Sequence, residues 1–200
     1  VIKSMHGFLG VNELPEVIGL TLTYLTVIVI INSFNLIDGV DGLAAGLGIF
    51  TTLTFGVYFY IAGHAEYAAL AFAMCGSLLA FLIFNRSPAR IFMGDTGSLL
   101  IGLVNAILVV QFINTAGAPG AAVHLNAPPA IAIAILIIPL FDTLRVFSIR
   151  IFNRRSPFSP DRNHIHHILL DRGMSHKAVS FTLIVVNIFF VAVAYFLSSL

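Results

Sequence analysis

Six stretches of this chain are apolar over the length that crosses a lipid bilayer, and short polar connectors separate them. A hydrocarbon core of about 30 Å requires about 20 apolar residues in a helix that rises about 1.5 Å per residue. The six windows are 16–34, 43–62, 67–84, 99–114, 129–147 and 179–198. Because 58% of the 200 residues are hydrophobic and only 10% are charged, a soluble core of this size could not bury the apolar surface. The chain is therefore predicted to be all-α, a polytopic transmembrane helix bundle with about six spans.

The connectors are too short to form a second domain, so residues 1–200 are predicted to form a single membrane domain. The chain begins at Val1 and ends at Leu200 inside an apolar run, and we interpret it as a piece of a longer protein. Its net charge of +1 does not favour nucleic acid as a partner. The single cysteine, Cys75, excludes an intrachain disulfide.

The basic residues predict which connectors face the cytoplasm. Nine of the ten lie in or beside connectors 85–98 and 148–178, whereas connectors 63–66 and 115–128 contain none. The positive-inside rule places the two basic connectors in the cytoplasm together with 35–42. Six of the nine acidic residues and four of the seven histidines fall in or beside these same three connectors. Any chemistry is therefore expected on the cytoplasmic face.

The first cytoplasmic connector contains Asn35, Asp38 and Asp41 at steps of three residues. On a helix, this spacing keeps the three polar side chains near one side, where they can meet one ligand. Mg²⁺ prefers oxygen ligands and usually combines one or two carboxylates with substrate phosphates. A helix end that these residues merely cap is the alternative.

The second connector contains Asp95 between two glycines, preceded by Arg86 and Arg90. The arginines can bind a phosphate, which a bare carboxylate would repel, so a metal ion on Asp95 would reconcile the two. Alternatively, Asp95 caps the following helix and the arginines anchor the protein at the membrane surface.

The third connector contains Arg162 and the clustered histidines His164, His166 and His167. In a helix that includes all three, His166 would point nearly opposite to the other two, so one ion could not bind them all. A zinc hydrolase is poorly supported, because no histidine pair four residues apart with a glutamate is present. Imidazoles beside arginines fit a diphosphate better, and binding of lipid headgroups is the alternative.

Two packing predictions concern the helices themselves. Ala44 with Gly48, four residues apart, should let the second helix approach a neighbour closely. Asp142 and Arg145, three residues apart near the end of the fifth window, are predicted to pair with each other.

Three segments together carry a resemblance to a known family. They are NLIDGVDGLAAG at 35–46, FMGDTGS at 92–98 and DRNHIHH at 161–167. In this order they resemble the polyprenyl-phosphate N-acetylhexosamine-1-phosphate transferases, which are of the glycosyltransferase family 4 type. The segment FDTLR at 141–145, and Ile165 between the histidines, resemble the undecaprenyl-phosphate GlcNAc-1-phosphate branch.

Members of that family transfer a sugar 1-phosphate from a UDP-sugar to a polyprenyl phosphate, release UMP and require Mg²⁺. The resemblance implies UDP-N-acetylhexosamine, undecaprenyl phosphate and membrane lipids as partners, and Mg²⁺ as the cofactor with Mn²⁺ as a substitute. It implies the first membrane step of a cell-envelope polysaccharide, in a multi-pass protein of the bacterial inner membrane whose active site faces the cytoplasm. It leaves a homodimer open.

The same resemblance implies roles for individual residues. The predicted metal ligands are Asn35 and Asp95, Asp41 is a predicted nucleoside contact and Asn85 lines the nucleotide pocket. The predicted catalytic residues are Asp38, Asp41, Asp95, His164, His166 and His167. The predicted substrate-binding residues are Asp41, Asn85, Arg86, Arg90 and Arg162.

This sequence departs from the family in one respect. The family has an earlier cytoplasmic loop with two adjacent aspartates, and no such pair precedes Asp38 here. We therefore expect this chain to be the C-terminal portion of a longer transferase and to be inactive alone. Two rival functions remain open. The first is a transporter or lipid-binding scaffold. The second is an intramembrane aspartyl protease, because Asp95 and Asp142 faintly resemble the aspartate pair of such a protease. For the transferase, we favour direct attack by the lipid phosphate. A mechanism with an aspartate nucleophile and a covalent intermediate stays open.

Overall fold

The computed structural model describes residues 1–154, 156 and 163–198, and over these residues it confirms an all-helical bundle. The α-helices are α1 Glu16–Ile37, α2 Leu43–Ile61, α3 Ala65–Asn85, α4 Gly94–Ala116, α5 Pro128–Ile135, α6 Ile137–Phe152, α7 Ile165–Asp171 and α8 His176–Ser198. A 3₁₀ turn at Phe8–Gly10 precedes α1. Within the described ranges the β-structure is limited to an isolated bridge between Ser4 and Glu13.

Five helices, α1 to α4 and α8, are long and apolar enough to cross a membrane. The α5–α6 pair adds a sixth span if the two bent helices are counted as one. Large apolar side chains such as Val17, Tyr60 and Phe181 point away from the bundle and are strongly exposed. Because lipid is the environment that suits such a surface, the chain is a multi-pass membrane protein.

The centre of the bundle is formed by α2 and α4, each of which contains more buried residues than any other helix. Helix α2 packs on α3, α1 on α4, and α5 on α8. Gly48 of α2 faces Leu78 and Ile101 so closely that a methyl group there would overlap Leu78. The predicted close approach at small residues of α2 is thus confirmed.

The fifth apolar window is broken, and the prediction of one continuous span there was wrong. Helices α5 and α6 meet at Leu136 with a bend of 81°. Pro139 has no N–H, so it cannot bond to the carbonyl of Ile135 four residues earlier. Nδ2 of Asn187 donates to that carbonyl at 2.9 Å, and Oδ1 of the same amide accepts from Ile138 N at 3.2 Å. The buried Asn187 therefore satisfies both sides of the break.

Two helices extend beyond their predicted windows and bring polar residues with them. Helix α1 continues to Ile37, so Asn35 lies in its last turn rather than in a connector. Helix α4 begins at Gly94, so Asp95 lies in its first turn and the fourth span is longer than predicted. Hydropathy marks only the apolar part of a helix, whereas backbone hydrogen bonding continues into the polar ends.

Candidate active site

The end of α1 meets the beginning of α4 through one side-chain amide. Nδ2 of Asn35 donates to Oδ1 of Asp95 and to Oγ of Ser98, each at 3.0 Å. The Ser98 hydroxyl in turn donates to carbonyls of its own first turn, at Gly94 and Asp95. These bonds orient the Asn35 amide and connect the two predicted metal ligands across 60 residues of sequence.

The first and second connectors are also joined at Asn85 and Asp41. Oδ1 of the buried Asn85 accepts from Gly42 N at 3.0 Å, and Nδ2 donates to Ile91 O at 2.9 Å. Oδ2 of Asp41 accepts from Ala89 N at 3.2 Å. Because both ends of the Asn85 amide bind backbone, this residue holds the two connectors together as well as lining the space between them.

A cleft of about 370 Å³ opens between these connectors and the start of α8. Five of the predicted site residues line it, which are Asn35, Asp38, Asp41, Asn85 and Asp95. His176, the first residue of α8, lines it as well. The structure therefore brings the carboxylates of the first two connectors into one space.

The carboxylates affect each other in this cleft. The pKa of Asp38 is raised above its ordinary value, first by burial and second by the negative charge of Asp95. Two carboxylates and one amide are hard oxygen donors of the kind that Mg²⁺ prefers. Across the described part of the chain, no group of three or more His, Cys, Asp or Glu side chains could hold a metal ion. The donor set fits an ion that takes its remaining ligands from substrate phosphates and water.

The third connector is held by Asp142 of α6. Its Oδ2 lies 2.8 Å from Nδ1 of His164, and its Oδ1 accepts from Ile165 N at 2.8 Å. Asp142 and His164 are both buried. The predicted Asp142–Arg145 pair was therefore wrong, and Arg145 instead donates to the carbonyl of Asn163. A carboxylate that accepts from a ring and from the first N–H of α7 fixes where that helix begins.

The three histidines lie close together, and the condition for the opposite orientation of His166, a helix that includes His164, is not met. His164 precedes α7 with an extended backbone, so its ring does not follow the helical projection. It stacks on His166 with ring centroids 5.4 Å apart and planes 11° apart. The centroids of His166 and His167 are 4.3 Å apart.

His166 also brings the third connector to the first. Its side chain is buried, and a methyl group on Gly39, which lines the cleft, would overlap Nε2 of the His166 ring. Burial, followed by the charge of His167, lowers the pKa of His166 to about 4, although Asp142 opposes this shift. The ring is therefore neutral at neutral pH.

Three predicted substrate-binding residues are not brought into the cleft. Arg86 and Arg90 are exposed on the second connector, outside the residues that line the cleft. Arg162 lies outside the described residues. The proposed phosphate contacts of all three stay predictions.

The comparison with family models decides which proteins this site belongs with. Residues 1–113, more than half of the chain, match the model described as "Glycosyl transferase family 4". The chain belongs to glycosyl transferase family 4. The match includes every predicted site residue of the first two connectors.

Individual curated proteins are similar over most of this chain. A Bacillus subtilis protein named "Probable undecaprenyl-phosphate N-acetylglucosaminyl 1-phosphate transferase" is 40% identical over 156 residues, which is 78% of this chain and 42% of its own length. The Mycolicibacterium smegmatis decaprenyl-phosphate N-acetylglucosaminephosphotransferase is 37% identical over 187 residues, 86% of this chain and 45% of its own length. The Escherichia coli undecaprenyl-phosphate alpha-N-acetylglucosaminyl 1-phosphate transferase is 33% identical over 163 residues, 80% of this chain and 42% of its own length. The chain thus spans less than half the length of the curated relatives it matches.

Three residues of this family 4 chain were missed as parts of the site. Asp142 was assigned to a local pair because sequence spacing cannot reveal a partner 22 residues away. Gly39 was not singled out, although its missing side chain makes room for His166. His176 was counted among the histidines of the third connector but not singled out, since it stands nine residues beyond the histidine cluster.

Proposed function

We propose that the protein containing this chain transfers GlcNAc 1-phosphate from UDP-GlcNAc to undecaprenyl phosphate and releases UMP. The observation that carries the proposal is the cleft in which Asn35, Asp38 and Asp95 meet beside Asp41 and Asn85. The names of the relatives support the sugar phosphate and the polyprenyl phosphate. We assign the product to the first membrane step of a cell-envelope polysaccharide.

The proposal places the protein in the bacterial inner membrane with the cleft facing the cytoplasm. The cleft lies where α1 and α3 end and where α4 and α8 begin, next to the basic connectors. Basic connectors favour the cytoplasmic side. A water-soluble nucleotide can reach such a cleft from the cytoplasm, while the tail of the lipid acceptor stays among the helices.

In this proposal Asn35 and Asp95 hold Mg²⁺, with Asp38 beside them, and Mn²⁺ can substitute. The ion, when bound, supplies positive charge to the diphosphate and to the departing UMP. The protein contributes the position of the donors, because the Asn35 amide is already fixed against Asp95 and Ser98. Phosphoryl transfer requires such alignment more than covalent chemistry from the protein.

The transfer itself is proposed as a direct attack. An oxygen of the lipid phosphate forms a bond to the β-phosphorus of UDP-GlcNAc. The bond from that phosphorus to the bridging oxygen breaks, and the bridging oxygen leaves with UMP. Trapping a phosphorylated Asp38 or Asp41 in the absence of the lipid acceptor would overturn direct attack in favour of a covalent intermediate.

The contact of the three histidines with the diphosphate stays a prediction, because none of them lines the cleft and His166 lies behind Gly39, which does. Asp142 orients the His164 ring, and His164 stacks on His166.

Mg²⁺-dependent release of UMP from UDP-GlcNAc tests the proposal, with the epimeric UDP-sugars as competitors and undecaprenyl phosphate as acceptor. The Asp95→Asn variant is expected to lose about 100-fold or more in turnover. Asp171→Asn, an exposed carboxylate at the end of α7, is the matched control and is expected to turn over normally. Lipid movement without UMP release would favour a transporter or scaffold instead.

We also propose that this chain requires further sequence for activity. The chain covers less than half of its relatives, and no aspartate pair precedes Asp38. The 200-residue chain and its upstream-extended form should be assayed side by side with both substrates. Equal turnover by the two forms would contradict the proposal.

A further inference from the structure

His176 occupies a distinctive place in the cleft. Among the described residues that line the cleft, it is the one side chain that can carry a positive charge, and it faces three carboxylates, those of Asp38, Asp41 and Asp95. The arginines of the second connector do not line this space. A diphosphate that enters the cleft therefore meets a single basic side chain of this chain there.

The His176 ring is held at one edge by Asp41. Nδ1 lies 3.4 Å from Oδ2 of Asp41 and 3.4 Å from the peptide nitrogen of the same residue. The hydroxyl of Ser180, one turn further along α8, donates to the carbonyl of Asp41 at 2.9 Å. His176 Nδ1 can make only one of its two contacts with Asp41 at a time, so that contact and the Ser180 hydrogen bond attach the start of α8 to the first connector and position the ring at the cleft.

This attachment determines which ring nitrogen can serve a ligand. When Nδ1 accepts the peptide N–H of Asp41, the proton of the neutral ring is on Nε2. When the ring is protonated, Nδ1–H can donate to the Asp41 carboxylate and Nε2 still carries its proton. In both of these forms Nε2–H is a donor, whereas a neutral ring that keeps its proton on Nδ1 and donates to the Asp41 carboxylate leaves Nε2 an acceptor, so a phosphate at Nε2 selects the first two forms. The His176 side chain is 43% exposed, compared with 16% for Asp41.

We propose that His176 is a phosphate-binding residue of the transferase, positioned by Asp41 and donating from Nε2 to a substrate phosphate. The inference rests on the proposed function and assigns a new residue to its substrate site. The phosphate belongs either to the nucleotide donor or to the polyprenyl phosphate acceptor, and the two are separated by measuring each affinity alone.

The test uses the full-length protein with Mg²⁺ and measures the Kd values of UDP, uridine and undecaprenyl phosphate for four proteins. These are the wild type, His176→Gln, His176→Arg and Lys177→Gln. Loss of a charge-assisted hydrogen bond is expected to raise the Kd of His176→Gln about tenfold for the ligand whose phosphate it binds. His176→Arg, which keeps a cationic donor, should recover much of the affinity. Lys177→Gln removes a neighbouring exposed charge outside the cleft and should bind as the wild type does.

The ligands distinguish the outcomes. A rise confined to UDP assigns the donor phosphate, and a rise confined to undecaprenyl phosphate assigns the acceptor phosphate. The inference is overturned if His176→Gln binds both within about twofold of the wild type, or if uridine weakens as much as UDP, since a phosphate contact should leave uridine unaffected. If the wild type releases UMP and His176→Gln binds both ligands normally, this inference alone is refuted. If the wild type neither binds UDP nor releases UMP, the proposed function is refuted.

Discussion

Replacing Gly39 with alanine should displace His166 and destabilise the junction of the first and third connectors. The added Cβ would overlap Nε2 of His166 and lie 3.0 Å from both Cδ2 and Cε1 of the ring. Gly39 is not among the residues with positive φ, so its backbone accepts alanine without strain. The predicted effect is therefore steric and comes from one ring.

The size of the effect follows from how tightly that ring is held. His166 is 1% exposed, stacks on His164 and contacts His167, so it cannot move without disturbing its neighbours. Overpacking of a well-packed site costs about 1–3 kcal/mol. At about 2–4 °C per kcal/mol for a chain of this size, Tm should fall by roughly 2–12 °C.

The assay is thermal unfolding in detergent, followed by the helical circular dichroism signal. Gly76→Ala is the matched control, because nothing lies within 4 Å of its added Cβ and its φ is ordinary. In the double variant with His166→Ala the overlap is gone, so Gly39→Ala should cost almost nothing in that background. The reasoning is refuted if Gly39→Ala unfolds within about 1 °C of the wild type, or if the two losses simply add.

Three further predictions concern buried polar groups. Asp142→Asn should lower the free energy of unfolding by about 2–4 kcal/mol in chemical denaturation, because a charge-assisted hydrogen bond to His164 is lost. The control is Thr143→Val, since the Thr143 hydroxyl has no hydrogen-bond partner among described residues. It should change the free energy of unfolding by about 1 kcal/mol or less. Asn187→Leu should lower the free energy of unfolding by about 2–4 kcal/mol, because it leaves backbone groups on both sides of the α5–α6 break without a hydrogen bond. Asn105→Leu, which loses only a bond within its own helix, should leave the free energy of unfolding nearly unchanged. Equal losses in the two variants would contradict the account of the break. The pKa of His166 falls from 6.5 to about 4 on folding, so the unfolded chain binds more protons between these values and Tm should fall as the pH drops from about 6.5 to about 4. His166→Gln should flatten the profile in that window, and an unchanged profile would count against the buried neutral ring.

The helices and five of the cleft residues were predictable from the sequence. Hydropathy alone gives the five unbroken spans, because a membrane helix must be apolar whatever it packs against. Asn35 and Asp38 were identified by their three-residue spacing and Asp95 by its place between glycines, and the family resemblance implied metal binding by Asn35 and Asp95. Their meeting follows from the alternation of the spans, which returns these helix ends to the same face of the bundle.

The features that were missed depend on contacts between distant residues. Pro139 signals the α5–α6 break in the sequence, but only the structure shows that Asn187, 52 residues after Ile135, satisfies the carbonyl that the proline leaves. Asp142 has two plausible partners by charge, and burial beside His164 decides between them. Spacing along one helix predicts neighbours on that helix only.

The central claim is that Asn35 and Asp95, with Asp38 beside them, hold a divalent cation against a substrate diphosphate. Electron paramagnetic resonance of Mn²⁺ with UDP and the full-length protein measures this directly, through the bound fraction of Mn²⁺ and its coupling to phosphorus. The account predicts a protein–Mn²⁺–UDP complex with phosphorus coupling, and a loss of Mn²⁺ affinity of at least about tenfold in Asp95→Asn. Mn²⁺ that binds equally well in the wild type and in Asp95→Asn, or that shows no phosphorus coupling when UDP is bound, would contradict the account.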